Sequence, residues 1–291
     1  MRLSRETEKE MRQSGSRFKI ASGDVLRMRL KPAVCLGLLL VGLSSACPSQ
    51  STPKLEQILP RVQEHVKEFE LSLPDFICDE RITSRELMAG TVIHETVIDS
   101  TFRGTQNKDG KDKPFTEWRE IHTVDGRPAP KGQPLTGPFF FGGGFSSILD
   151  AIFSVRNAQY FNYKVIGTEK IDEDVAVVIK FETKKGQKAL VHQELFGSQI
   201  TLKGSGKAWI DPLSTNVVRL ELQYLDPPVP EGVLVVRVDY AEAIINEKKF
   251  WMPKTLTAQQ TVPNPKAPVG GQYIAEYSNY QQFKVSTKIT Y

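Results

Sequence analysis

The sequence lacks a hydrophobic run long enough to cross a bilayer. Its longest uncharged apolar stretch, residues 33–43, has about 11 residues, whereas a membrane-spanning helix needs about 20. Basic residues precede this stretch, and the small residues Ser44, Ser45 and Ala46 follow it. This is the three-part plan of a secretory signal peptide. We therefore predict an exported protein with a leader over residues 1–46.

The leader divides into two parts. Residues 28–46 form the predicted signal peptide. Residues 1–27 are polar and charged, so they either lie upstream of a misassigned start codon, with translation beginning at Met28, or lengthen the leader. The remaining chain, residues 47–291, is long enough for one large β-rich domain. We expect this domain in the periplasm or at the outer membrane.

Cysteine is scarce, with three residues in the chain. Cys35 leaves with the leader, and the single internal cysteine, Cys78, excludes a disulfide framework. We predict that Cys78 is a small buried core residue. Cys47 follows Ala46 in a stretch similar to a bacterial lipobox. Two outcomes stay open: lipidation of Cys47, which would tether the domain to a membrane, and simple cleavage after Ala46.

The mature chain also lacks an excess of positive charge. The whole chain has a net charge of +4, but residues 1–46 hold nine Lys/Arg and four Asp/Glu. Residues 47–291 therefore retain 29 basic and 30 acidic residues, a net charge of −1. A near-neutral domain gives no general electrostatic basis for binding nucleic acid, and we expect no nucleic-acid partner.

Motifs for catalysis and metal binding are missing from the sequence. There is no Gly-x-Ser-x-Gly elbow, and the P-loop-like stretch 204–207 is followed by Ala208 where a magnesium-binding Ser or Thr should stand. No two of the four histidines share the i, i+2 or i+4 spacing that presents a metal from one element. We therefore predict no catalytic residue, no metal site and no cofactor.

Short segments rich in β-branched and aromatic residues dominate the mature chain, and turn-forming residues separate them. The candidate strands are 76–87, 91–104, 114–123, 160–169, 174–183, 190–202, 206–210, 215–225, 233–246, 249–262 and 272–289. About eleven strands joined by short turns predict a mainly β fold with an antiparallel meander. An amphipathic helix precedes them, with apolar residues from Leu55 to Phe69 on one face. Pro60 is expected to kink or divide this helix.

One segment breaks the strand pattern. Residues 124–145 are rich in Pro and Gly and yet contain four Phe residues, and a short amphipathic helix is predicted directly after them. The Phe residues either plug one end of the sheet or form a mobile lid over a ligand cavity, with the glycines as a hinge. The candidate ligand-binding residues of such an apolar lid and cavity are Phe139, Phe140, Phe141, Phe145, Ile148, Ile152 and Phe153.

The second half of the chain resembles a known family. The run Gly206–Pro212, the strands at 215–221 and 236–240, and the stretch Phe250–Lys254 resemble the strand–turn series of the outer-membrane lipoprotein carriers, the LolA/LolB-like half-barrel superfamily. Two further stretches, Leu73–Cys78 and Tyr277–Phe283, are similar to uncharacterised secreted acidobacterial proteins. The carrier resemblance implies a single curved antiparallel sheet, a half-barrel, around an apolar cavity that holds acyl chains.

These observations predict an extracytoplasmic binding protein that holds a lipid or a lipid-modified protein in an apolar cavity, without catalysis. Its partners would be a lipid or an acylated protein, with a membrane tether through Cys47. The alternative is an envelope structural or regulatory module that binds a protein partner. A hydrolase with a site assembled across strands is the third hypothesis, because sites of this kind leave no local motif.

Overall fold

One amphipathic helix opens the part of the chain that the structure describes. α1 comprises Leu55–Ser72 and buries Ile58, Val62 and Val66, whose spacing of four residues places them on one face. Pro60 lies inside α1, and the helix continues through it undivided. No helix within the described part of the chain is both long enough and apolar enough to cross a membrane.

The description of the protein rests on a computed structural model. The described residues are 53–106, 115–142, 145, 147–187, 192–195, 198–201, 203–225, 232–264 and 268–283. They fall in one unit, Gln50–Tyr291. The predicted leader and Cys47 lie outside the described residues.

Strands make up most of the described chain. They are β1 (Phe76–Met88), β2 (Thr91–Gln106), β3 (Phe115–Val124), β4 (Arg127–Pro128), β5 (Phe161–Ile171), β6 (Asp174–Thr183), β7 (His192–Leu195), β8 (Ser198–Thr201), β9 (Gly204–Ile210), β10 (Val217–Tyr224), β11 (Val233–Ile245), β12 (Lys248–Val262) and β13 (Val269–Gln282). Eleven of them form one antiparallel sheet in the order β4-β3-β2-β1-β13-β12-β11-β10-β9-β6-β5. The sheet is open, with β4 and β5 at its edges. The predicted single antiparallel sheet of about eleven strands is confirmed.

The two faces of the sheet differ. Along β1 the buried side chains alternate with more exposed ones, and Phe76, Cys78 and Ile82 point to the buried face, as strand geometry requires. These side chains share one hydrophobic core with the buried residues of α1. We call this the helix-bearing face and the opposite one the outer face.

Register shifts bend the sheet. Six of its described strand pairs contain one, among them β1–β13, β2–β3 and β11–β12. A β-bulge of this kind bends its strand and increases the local twist. Strands as long as β2, with 16 residues, therefore form a curved sheet, in agreement with the predicted half-barrel.

Two sequence predictions need correction. The predicted strand 190–202 is a hairpin of two strands, β7 and β8, which pair with each other in a separate sheet. The predicted single inserted helix is two short helices, α2 (Ser147–Phe153) and α3 (Val155–Ala158). Ser154 separates them, because its ψ of 146° is an extended conformation that a continuous helix does not allow.

Candidate functional site

The seven residues predicted to form the apolar lid and cavity lie together on the helix-bearing face. We call residues 139–142, 145 and 147–153 the aromatic segment. Six of the seven are at most 4% exposed, and all seven belong to or pack against the main core: Phe139, Phe140, Phe141, Phe145, Ile148, Ile152 and Phe153. In this conformation they fill the face of the sheet with their own side chains.

Phe145 lies at the centre of an aromatic cluster. Its ring centroid is 4.7 Å from that of Phe102 and 5.4 Å from that of Phe76, and Tyr277 meets it edge-on at 5.0 Å. Offset and edge-on pairs of this kind add stabilisation beyond the burial of their area. The segment is thus joined to β1, β2 and β13 by ring contacts.

Cys78 lies beside this cluster. It is opposite Phe102 in the β1–β2 ladder and is 2% exposed. Burial raises the pKa of its thiol, and the nearby carboxylates of Glu80 and Asp79 raise it further. Because the thiolate is the reactive form, the raised pKa lowers the reactivity of Cys78 in this structure.

Phe139 contacts the sheet through a glycine and a serine. The Ser84 hydroxyl donates to the Phe139 carbonyl oxygen (2.7 Å) and accepts from the Phe139 N–H (2.9 Å). A Cβ at Gly271 would lie 2.4 Å from atoms of the Phe139 ring, so only glycine permits this close approach. The sequence predictions did not include Ser84 and Gly271, although a glycine inside a strand often marks a close contact.

The other end of the segment contacts β5. The Tyr163 hydroxyl donates to the carbonyl oxygen of Ile152, and the Tyr163 ring stacks on Phe153 with centroids 5.9 Å apart. Burial raises the pKa of this hydroxyl, so it remains a donor. The aromatic segment therefore extends across the helix-bearing face from the β1–β2 region to β5.

An acid pair joins α2 to α1. Asp150, 5% exposed, forms an ion pair with Arg156 of α3 at 2.5 Å. Its second neighbour is Glu70 of α1. Burial, the charge of Asp150 and a hydrogen bond with it together raise the pKa of Glu70 from 4.5 to about 8, against the lowering effect of the Arg156 charge. Oε1 of Glu70 is buried and has no hydrogen-bond partner among the described residues.

A buried ion pair lies in the same part of the sheet. The fully buried Glu80 carboxylate accepts from Arg119 Nε at 2.8 Å and 3.0 Å and from the Ser100 hydroxyl at 2.8 Å. The Arg119 guanidinium also lies 4.8 Å from the centre of the Phe102 ring, within the range of a cation–π contact. No sequence motif identified this pair.

The outer face contributes most of the lining of a polar groove of about 560 Å³. It is lined by Asp79, Glu80, Arg81, Asp99, Ser100, His122, Lys254, Thr255, Glu276, Tyr277 and Ser278. Several of its charged groups satisfy one another, as Arg81 and Asp99 do at 2.7 Å. Among the described residues, no group of three or more His, Cys, Asp or Glu side chains is placed to hold a metal ion.

Searches for related proteins give structural matches only. No family model and no curated protein matches the chain. A LolA superfamily protein from Nitrosomonas europaea is 10% identical, with 79% of this chain and 95% of that chain covered and a TM-score of 0.40. A DUF1329 family protein from Desulfovibrio piger is 12% identical, with the same coverage and a TM-score of 0.39. A putative outer membrane lipoprotein-sorting protein domain from Vibrio parahaemolyticus is 13% identical, covers 77% and 92%, and has a TM-score of 0.36.

One of these solved structures, that from Nitrosomonas europaea, is described by the name of the superfamily that the sequence resembles. At identities and TM-scores this low, function has to be argued from the geometry of the chain itself.

Proposed function

We propose that this protein is an exported binding protein that holds an acyl chain, carried by a lipid or a lipid-modified protein, on the helix-bearing face of its open sheet. The binding site is the space that the aromatic segment occupies in this structure. The observation that supports this proposal is the burial of Phe139, Phe141 and Phe145, which themselves belong to no strand or helix. Packing and a few hydrogen bonds hold such a segment, so it can be displaced without breaking a strand ladder.

The free energy lost when the aromatic rings leave the sheet is similar in size to the free energy gained when an acyl chain takes their place. Burying a Phe side chain contributes roughly 1.5–3 kcal/mol, so the three rings of Phe139, Phe141 and Phe145 together contribute roughly 5–9 kcal/mol. An acyl chain gains about 0.8 kcal/mol for each buried methylene, or roughly 12 kcal/mol for about 15 methylenes. An acyl chain is therefore able to replace these three rings on the sheet.

The proposed location follows from the leader. Residues 1–46 direct export, and residues 47–291 form the binding domain in the periplasm or at the outer membrane. Lipidation of Cys47 would keep the domain at a membrane, where acyl ligands are found. Binding without catalysis is the proposed activity.

A protein-binding module of the envelope is the second candidate function. The outer-face groove favours it, because Arg81, Lys254, Asp79 and Glu276 offer both signs of charge to a partner. Such mixed polar surfaces are common at protein–protein interfaces. This candidate predicts a co-purified protein and no acyl chain.

The first experiment is native mass spectrometry of the protein recovered after export, combined with lipid extraction of the same sample. We expect an added mass that extracts as fatty acyl species. An apo mass, together with no uptake of a fluorescent fatty acid, would exclude the proposed function. A co-purified polypeptide would favour the second candidate.

A reversible cross-link tests whether the aromatic segment covers the site. The Cβ that residue 137 would carry lies 3.0 Å from the Cβ of Ser84, and a disulfide needs about 3.5–4.5 Å. Gly137 has a φ of +159°, at which a side chain is strained, so the variant Ser84→Cys/Gly137→Cys should form a disulfide after a shift of the backbone and hold the segment on the sheet. We expect oxidation to abolish uptake of a fluorescent fatty acid and reduction to restore it. The variants that carry only one of the two new cysteines should respond to neither treatment. Equal uptake in the oxidised and reduced forms would contradict the proposed site.

A further inference from the structure

Among the described residues, the aromatic segment has a polar connection to α1 in addition to its apolar contacts. Asp150 and Glu70 place two carboxyl groups in contact at the α1–α2 junction, and one cation, Arg156, accompanies them at 2.5 Å from Asp150. The Asn157 side chain donates to the Asp150 carbonyl oxygen (3.2 Å) and the Ser154 N–H donates to it at 3.0 Å. Asp150 is therefore held in position, and because Arg156 offsets only one of the two negative charges, a proton on the pair removes the remaining repulsion.

We infer that the Glu70–Asp150 pair is a proton-operated latch, which holds the aromatic segment on the sheet while the pair keeps a proton and releases it more readily once that proton is lost. Arg156 neutralises one carboxylate, so Glu70 is the member that carries the proton and donates to Asp150. When the aromatic segment leaves the sheet, Glu70 becomes hydrated, and the repulsion between the carboxylates of Glu70 and Asp150 is removed. The role of this latch as a gate for ligand rests on the proposed function, whereas the latch itself does not.

Within the described part of the chain, few charged groups lie around Glu70. From α2 it faces Asp150, and from α3 it faces Arg156. From β2 the neutral Gln106 side chain donates to the backbone carbonyl oxygen of Glu70 at 3.1 Å. On α1 itself, the cation one turn earlier, Lys67, pairs with Glu64 at 3.4 Å.

The sign of the pH dependence follows from linkage. In the closed state, with the aromatic segment on the sheet, Glu70 has a pKa of about 8. In the open state, where Glu70 is hydrated, its pKa returns to about 4.5. Because the closed state binds more protons between these values, raising the pH favours the open state. The opening constant should rise by up to about tenfold for each pH unit between about pH 4.5 and pH 8, and stay level above pH 8.

Cys78 provides a native reporter of opening that needs no ligand. It is buried beside the Phe145 cluster, and a thiol reagent reaches such a residue only after local opening. We would label the full chain with a thiol reagent from pH 5 to pH 9 and follow Cys78 alone by peptide mass spectrometry. Dividing the rate of the wild type by that of Glu70→Gln at each pH removes the intrinsic pH dependence of the thiol reaction. Glu68→Gln is the matched control, because Glu68 is exposed on the same helix.

We expect the ratio of wild type to Glu70→Gln to rise by roughly 30- to 100-fold between pH 5.5 and pH 7.5, and the ratio of wild type to Glu68→Gln to stay constant. Asp150→Asn, which removes the like charge, should weaken the pH dependence as well. A ratio to Glu70→Gln that stays within threefold over this range would overturn the latch. Acyl binding is measured separately, so a pH-dependent ratio without acyl uptake would retain the latch and reject the proposed function.

Discussion

At the scale of single residues, the most unusual feature is a charge buried in the sheet. Glu80 has no exposed side-chain area, and Arg119 is 18% exposed. Charges are buried only when they are paired and hydrogen-bonded, and the carboxylate accepts here from both Arg119 and Ser100. The pair links β1 to β3 across β2.

Removing one partner of this pair should be costly. Arg119→Leu leaves Glu80 buried without its cation, and losses of about 3–5 kcal/mol are typical of such changes. Urea unfolding monitored by circular dichroism measures the loss. Arg81→Leu is the matched control, because Arg81 and Asp99 are 57% and 44% exposed and such pairs contribute about 0–1 kcal/mol. Equal losses in the two variants would show that the Glu80 pair does not stabilise the fold.

The sequence alone predicts the burial of Glu80 but not its ion pair. Glu80 has the same phase in β1 as Phe76, Cys78 and Ile82, so its burial follows from strand periodicity. The pairing with Arg119 does not follow from periodicity, because Arg119 is 39 residues away in the sequence and the β2–β3 pair contains a register shift. Burial of Phe139, Phe141 and Phe145 was among the hypotheses weighed from the sequence, since apolar side chains gain nothing in water.

At the scale of elements, the contact between the aromatic segment and β13 decides how easily the segment leaves. Gly271→Ala places a methyl group 2.4 Å from the Phe139 ring, and overpacking of this kind costs about 1–3 kcal/mol. Because the clash exists only in the closed state, we expect labelling of Cys78 to become about 5- to 150-fold faster, corresponding to that energy. The rate is measured at constant pH by peptide mass spectrometry.

A second glycine variant separates opening from general loss of stability. Gly90 has a φ of +80° and no neighbouring atom within 4 Å of a Cβ, so Gly90→Ala strains the β1–β2 turn by about 1–2 kcal/mol without touching the segment. We expect little change in Cys78 labelling in this variant. Labelling that tracks overall stability in both variants would show that Cys78 reports global unfolding.

The elements differ in how well the sequence predicts them. The spacing of apolar residues predicted α1, and local turn chemistry predicted most hairpins. The hairpin β7–β8 was predicted as one strand, because a short connection inside an otherwise strand-like run resembles a continuous strand. The contacts of Ser84 and Gly271 with Phe139 were outside the predictions, because they depend on how distant parts of the chain pack.

At the scale of the whole molecule, the sheet order shows what local signals leave out. Most neighbours in the sheet are successive strands, as short turns predict. The pairing of β1 with β13 joins the two ends of the described chain at the centre of the sheet. Such a pairing depends on the closure of the entire meander. It also brings Gly271 of β13, which pairs with Glu86, within two positions of Ser84, which pairs with Tyr273, so the contact surface for Phe139 exists only in the complete fold.

If ligand and segment compete for one face, opening and affinity must be coupled through the whole molecule. The apparent dissociation constant is the intrinsic one divided by the fraction of open molecules. Ser84→Ala and Gly271→Ala raise that fraction, and Glu70→Gln lowers it near pH 7.5. Plotting the logarithm of the apparent dissociation constant for a fluorescent fatty acid against that of the Cys78 labelling rate should give a slope near −1 across these variants and the wild type. A slope near zero would mean that the ligand binds elsewhere, with the aromatic segment acting as a permanent part of the core.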